Sequence, residues 1–344
     1  MCVEIDGSYG EGGGQIIRTA VALSAVTGRP VRIEKIRANR PNPGLAAQHL
    51  SAVDAVRRIC DAEVKGLKLR STTLEFSPSE IRGGRFEINI GTAGSITLLL
   101  QCLIPAALFA EEATSLRIIG GTDVAWSPPF DFYKNVFLRA LREMGCEVSL
   151  KLLRRGYYPK GGGVVEARIE PLSNGLKGFV LTELGGGRRS NEVKGVSHCG
   201  SLPRHVAERQ ARAAARALER SGYAADIEVE TAETACPGSG ITLWQDFKAG
   251  SSLGERGKRA EAVGEEAAAA ILSELESAAT VDAHLADQLV PYMALAAADG
   301  EASEIRVREV TKHLDTNIHI TQKFLDVKFT VEKLDDTFAV RCEP

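Results

Sequence analysis

His313 stands in the run Thr311-Lys312-His313-Leu314-Asp315-Thr316-Asn317, where a strand pattern over 304–311 gives way to a helical pattern over 317–325. A neutral imidazole can attack phosphorus, and the phosphoramidate so formed is reactive enough to pass its group onward. A lone histidine is more often an ordinary polar side chain. Lys312 beside it is expected to keep the ring neutral by charge repulsion.

Four further segments carry groups suited to phosphate. In Asp6-Gly7-Ser8-Tyr9-Gly10-Glu11-Gly12-Gly13-Gly14-Gln15-Ile16-Ile17-Arg18, glycines precede a helix, so backbone N–H groups can approach an anion at a helix start. The spacing is neither that of a Walker A loop nor that of a dinucleotide fingerprint. Glu11 is a sterically open carboxylate, suited to a divalent metal carrying nucleotide phosphates. In Arg37-Ala38-Asn39-Arg40-Pro41-Asn42-Pro43-Gly44-Leu45-Ala46-Ala47-Gln48-His49, two forked guanidinium groups precede a proline-stiffened loop and suit phosphate oxygens. Arg18, one helical turn after Gly14, can join them. Gly91-Thr92-Ala93-Gly94-Ser95-Ile96-Thr97 is another small-residue turn opening a helix, with Gln101 one turn on. His284-Leu285-Ala286-Asp287-Gln288 opens an apolar helix. There, contact with a nucleotide competes with simple capping by Asp287. Each segment also has a purely structural reading: a tight turn, a solvated strand end or packing.

The elements that must position these groups repeat. A first unit has a helix over 15–26, a strand over 30–37, a helix over 45–59, and strands over 63–69 and 73–76. A second has a helix over 95–109, a strand over 115–120, a helix over 130–144, and strands over 147–153 and 164–169. A third has a helix over 286–298, a strand over 304–311, a helix over 317–325, and strands over 327–332 and 337–341. The order β-α-β-α-β-β thus recurs three times, an α/β chain of the α+β type. Units one and two are about 85 residues apart and units two and three nearly 190, so about 100 extra residues sit between the latter. They read as a small inserted α/β domain over 183–276, hinged at Gly185–Gly187 and near Ala279. The core is then 1–182 with 277–344, divided at about 1–80, 81–182 and 277–344.

Composition narrows the functional classes. The 344 residues are 44% hydrophobic with a net charge of −3 and a pI of about 6.2, so no global basic field holds nucleic acid. Any nucleic-acid end must be gripped locally by a few arginines. Seven scattered cysteines without a Cys-x-x-Cys pair argue against a disulfide scaffold and a cysteine zinc site. The longest apolar stretch, 98–110, contains Gln101 and Pro105 and is too short for a bilayer, and no leader pattern is visible. A cytoplasmic protein without a membrane partner is expected.

Taken in order, these segments resemble the RNA 3′-terminal phosphate cyclase family nearly end to end. The likeness rests on Gly10-Glu11-Gly12-Gly13-Gly14-Gln15, Arg37-Ala38-Asn39-Arg40, Pro43-Gly44-Leu45, Gln48-His49-Leu50, Gly121-Thr122-Asp123, Tyr158-Pro159-Lys160-Gly161-Gly162-Gly163, Leu253-Gly254-Glu255-Arg256-Gly257 and Ala286-Asp287-Gln288-Leu289. The resemblance implies three tandem units like the C-terminal domain of translation initiation factor three, plus a fourth, inserted domain. It also implies ATP-dependent closure of an RNA 3′-phosphate into a 2′,3′-cyclic phosphodiester through a covalent histidine–AMP, releasing AMP and pyrophosphate. Carried over, His313 is the nucleophile. Gln101, Pro128, His284, Leu285, Ala286, Asp287 and Gln288 hold ATP, with His284 near the adenine. Arg18, Arg37, Arg40 and Gln48 line the phosphate and RNA-end site, and Glu11 holds Mg or Mn. A homodimer is a further possibility. The alternative is a non-catalytic branch serving ribosome assembly or RNA processing, which lacks the histidine. An enolpyruvyl transferase and a bare nucleic-acid-binding module fit less well.

Overall fold

The computed structural model describes residues 2–182 and 191–344, so the expected hinge at Gly185–Gly187 lies outside the described residues. The chain begins with β1 (Val3–Asp6), α1 (Gly14–Thr27), β2 (Val31–Glu34), α2 (Ala47–Ile59), β3 (Glu63–Lys65) and β4 (Leu74–Ser77). It continues with β5 (Gly84–Asn89), α3 (Ile96–Ala107), β6 (Thr114–Gly120), α4 (Phe130–Phe132), a π turn (Tyr133–Phe137), α5 (Leu138–Glu143), β7 (Val148–Arg154) and β8 (Gly163–Ile169). After β9 (Val180–Leu181) come β10 (Glu192–Gly200), α6 (His205–Arg220), β11 (Ala224–Ala232), β12 (Gly238–Gln245), β13 (Lys248–Leu253) and α7 (Ala260–Leu275). The last elements are α8 (Ala283–Ala298), β14 (Ser303–Val307), α9 (Lys312–Phe324), β15 (Lys328–Leu334) and β16 (Thr337–Glu343).

Three four-stranded sheets share one plan, with orders β1-β2-β4-β3, β5-β6-β8-β7 and β9-β14-β16-β15. In each, the first pair is parallel and the others antiparallel. A parallel neighbour needs a crossover, and α1 and α3 supply it in the first two sheets. In the third, the crossover holds the whole segment β10 to α7 as well as α8. Val180–Leu181, which the repeat pattern leaves in the second unit, is therefore the edge strand of the third sheet. Two residues are too few to show a period.

The fourth sheet, β11-β10-β12-β13, has a different order and carries α6 and α7 on its own core around Val193, Leu218, Leu243 and Ile271. Its strand expected over 241–247 stops at Gln245. Asp246 turns in the left-handed region (φ +53°), and the chain returns as β13. The larger core gathers apolar faces from the other three sheets and their helices, with α1 packed on both α3 and α9. Six of the seven cysteines are buried free thiols, and Cys2 is exposed. Among the described residues, no helix is long and apolar enough to cross a membrane.

Candidate active site

Thr311 caps α9, its hydroxyl accepting from the Leu314 N–H at 2.9 Å. The helix therefore starts at Lys312, five residues earlier than its apolar spacing suggests, and His313 lies in its first turn. The imidazole is 45% exposed, so it is reachable from solvent. Its Nδ1 lies 3.3 Å from Glu11 Oε2, and Arg40 Nη2 lies 3.1 Å from the same oxygen. Behind the ring, the His313 carbonyl accepts from Gln15 Nε2 at 2.8 Å. The glycine loop and the histidine thus belong to one site, although they are far apart in sequence. Partial burial lowers the His313 pKa below 6.5, as do the charges of Arg18, Arg40 and His284, while Glu11 opposes them. Lys312, expected to enforce neutrality, is not among these causes; arginines from the first unit act in its place.

Small residues let the loop come this close. Gly10 sits at φ +55°, and a Cβ there would fall 2.4 Å from Thr316 Oγ1 of α9. A Cβ on Gly14 would fall 2.1 Å from His49 Nε2. Tyr9 stacks on His319 with ring centroids 3.9 Å apart, fastening the loop to the next turns of α9. Asn39 donates to the Ser8 carbonyl at 3.0 Å and ties in the arginine loop.

The three arginines divide their work. Arg37 donates through Nη1 to the carbonyls of Asn42 and Gly44, both at 2.8 Å, so it braces its own loop rather than reaching forward as expected. Its backbone lies in the left-handed region, at φ +53°. Arg40 reaches forward to Glu11. Arg18 is half-buried, and among the described residues no carboxylate lies within ion-pair distance of it. Burial drives its pKa down to about 10. A desolvated cation without a counter-ion is a ready receptor for phosphate.

His49 was quoted only as part of a motif, not as a site residue. It is buried, and its Nδ1 accepts from the Ala46 N–H at 3.0 Å, which leaves the proton on Nε2. Burial, then Arg18 and Arg37, push its pKa down to about 3. This neutral ring supports the glycine loop without opposing the nearby cations. A histidine in the first turn of the helix that follows the arginine loop was the available signal.

The remaining candidates lie around this centre at differing depths. Gln48 is half-buried with its Cβ against the Gly94 turn, which brings the second and third segments together. Gln101 is half-buried on α3, and the Pro128 carbonyl accepts from Thr97 Oγ1 at 2.8 Å at the start of that helix. His284 is exposed and close enough for its charge to act on His313. Leu285 and Ala286 are fully buried core side chains, a correction to their place in the site. Successive helical residues face about 100° apart, so a pentapeptide cannot present all its side chains to one ligand. Asp287 faces inward, accepting from the Thr311 hydroxyl, and its carbonyl accepts from Asn317 Nδ2 at 2.6 Å. Burial raises its pKa to about 7, with Glu11 and Glu309 adding to the effect. Gln288 donates to the His284 carbonyl at 2.9 Å.

A half-exposed imidazole, a half-exposed carboxylate and, among the described residues, an arginine without a carboxylate partner thus gather in one place. The family description "RNA 3′-terminal phosphate cyclase" matches residues 9–331. Relatives of that name come from Archaeoglobus fulgidus, 53% identical over 96% of this chain and 99% of theirs, and from Methanosarcina barkeri, 53% identical over 98% and 99%. A third, from Pyrococcus furiosus, is 47% identical over 95% of this chain and 94% of its own. The chain belongs to the RNA 3′-terminal phosphate cyclase family.

Proposed function

We propose that this chain is an RNA 3′-terminal phosphate cyclase that works through a histidine adenylate on His313. The observation that carries the reading is the half-exposed His313 ring at the start of α9, its pKa lowered by partial burial and by Arg18 and Arg40, with Glu11 beside its Nδ1. A carboxylate beside Nδ1 favours the tautomer with its proton there, leaving the Nε2 lone pair for attack.

Nε2 forms a bond to the α-phosphorus of ATP as the bond to the bridging oxygen breaks, and pyrophosphate leaves. An oxygen of the RNA 3′-phosphate then takes the AMP, and the histidine is restored. The ribose 2′-hydroxyl attacks the activated phosphorus, loses its proton and expels AMP. AMP provides the leaving group that a phosphate monoester lacks, and the ribose holds the hydroxyl beside its target. Arg18 and Arg40 are assigned to the phosphate oxygens and Gln48 to the RNA end. Gln101, Pro128, His284 and Gln288 are assigned to the nucleotide. Asp287, hydrogen-bonded through Thr311, acts as a positioning residue for α9. Glu11 is a single half-exposed carboxylate beside the nucleophile, a donor set that fits a Mg²⁺ or Mn²⁺ carried mainly by ATP phosphates. Such an ion supplies charge neutralisation to the phosphates.

The repeated sheet plan supports reading residues up to about 179, with β9 and 277–344, as three units like the C-terminal domain of translation initiation factor three. The fourth sheet supports reading 183–276 as an inserted domain. The presence of His313 disfavours the non-catalytic branch. The test is incubation with α-labelled ATP and a divalent ion without RNA, beside His313→Ala. Acid-labile, base-stable label on the wild type and none on the variant is expected. A folded wild type that takes no label with either metal sinks the mechanism.

A further inference from the structure

The motif Gly121-Thr122-Asp123, and Tyr157 just before the motif Tyr158-Pro159-Lys160, are not used by the site above, yet they meet strands of the fourth sheet in a buried cluster. Asp123, Asp131, Arg155 and Tyr157 come from the second unit; His198 and Glu230 come from β10 and β11. The side chains of Asp123, His198 and Arg155 are at most 1% exposed, and that of Asp131 is 7%. Arg155 lies 3.1 Å from Asp123 Oδ2, 2.9 Å from Asp131 Oδ2 and 2.7 Å from Glu230 Oε2. One guanidinium thus faces three carboxylates, two of them buried, so acidic groups outnumber the fixed cation here. Burying such an excess is costly unless a cation balances it.

Three atoms in this cluster lack hydrogen-bond partners among the described residues, Asp123 Oδ1, Asp131 Oδ2 and His198 Nε2, and the first and last of them lie 3.4 Å apart. Ligands bonded to one ion at about 2.0–2.1 Å in a tetrahedron are about 3.3–3.4 Å apart. One donor atom each from Asp123, Asp131 and His198 lie within 4.8 Å of one another. The surrounding contacts are those that orient metal ligands. Asp123 Oδ2 accepts from Thr122 Oγ1 at 2.7 Å and from Arg155, and His198 Nδ1 lies 2.9 Å from the Tyr157 hydroxyl. A cleft of about 470 Å³ lined by Asp131, Arg155 and Glu230 lies beside them.

We propose that Asp123, Asp131 and His198 bind a divalent transition ion of the zinc class, which clamps the fourth sheet to the second unit. It is separate from any ion that accompanies ATP at Glu11. One imidazole with two carboxylates suits Zn²⁺ better than Mg²⁺. Bound this way, it offsets the excess of acidic groups and occupies the three unpartnered atoms.

The experiment equilibrates the purified full chain with Zn²⁺, passes it through a desalting column and measures retained zinc by mass spectrometry. The wild type and Glu11→Gln are expected to retain one ion per chain and His198→Gln none. Zinc should also raise the melting temperature of the wild type in a way that a chelator reverses, a readout that stands even if His198→Gln fails to fold. The metal K-edge spectrum of the wild type should show an oxygen and nitrogen shell including one imidazole. A folded wild type that retains no zinc and melts at the same temperature with and without it overturns the proposal. Retention unchanged in a folded His198→Gln, or lost in Glu11→Gln, also overturns it. None of these readouts depends on adenylation, so the clamp and the catalytic reading fail separately.

Discussion

Replacing His49 by asparagine isolates a single titration beneath the active site. The Asn Oδ1 can take the place of the imidazole Nδ1 as acceptor for the Ala46 N–H, so the local bond survives while the ionisable ring is lost. In the unfolded chain a histidine protonates near 6.5, whereas burial beside Arg18 and Arg37 holds native His49 at about 3. Between these values the unfolded state binds the extra proton, so stability falls as pH falls from 6.5 toward 3. At about 1.36 kcal/mol per unit, the loss from this one group between pH 7 and pH 5 is about 2 kcal/mol. The assay is urea unfolding of both proteins at the two pH values. The wild type should hold an advantage at pH 7, because the buried ring packs better, and that advantage should shrink by about 2 kcal/mol at pH 5. Carboxylates elsewhere titrate in both proteins and cancel. Stability differences that stay parallel within about 0.5 kcal/mol would refute the assignment of a neutral, desolvated His49.

Other outcomes follow from the same geometry. Gly14→Ala sets a methyl against the His49 ring and should destabilise by about 1–3 kcal/mol, with His49→Ala relieving part of that cost in the double variant; thermal melts of the four proteins check it. Wild-type self-adenylation, followed in a single turnover, should keep its rate below pH 6.5 before falling, and Arg18→Gln should move that fall to higher pH because one cause of the lowered His313 pKa is gone. The native Asp287 carboxyl, at about 7, holds its proton longer than the unfolded one, so its contribution is present at low pH and is lost as pH rises toward 7. The wild type should accordingly lose about 2–3 kcal/mol relative to Asp287→Asn between pH 5 and pH 7 in denaturant titrations.

Apolar periodicity was enough for the larger elements. The helix expected over 15–26 spans Gly14–Thr27, and the pair of strands closing each unit lies within a few residues of its expected place. It was not enough for Lys312–Thr316, a mostly polar run in which only the Thr311 cap marks the start of α9. Nor could it separate β12 from β13, because the chain reverses at Asp246 alone, in the left-handed region, within a few residues of the apolar run Ile241–Trp244. The candidate residues were readable by type, but their depth was not. Leu285 and Asp287 are near neighbours in sequence, one in the core and one bonded at the head of α9. The Asp123–His198 cluster was invisible to spacing because its members come from segments about 75 residues apart, brought together only by the docking of two sheets.

The bonds from Gln15 to the His313 carbonyl and from Thr19 to Asn317 each span 298 residues of sequence. On a ribosome the glycine loop therefore emerges long before its partner helix, and β9 waits for β14 while the whole fourth sheet is made. The first two sheets can close on local pairings, but the reactive centre is assembled by the slowest kind of contact, one between distant parts of the chain. A nascent chain halted before α9 would carry the glycine loop without His313, so the site is completed as one of the last events of synthesis.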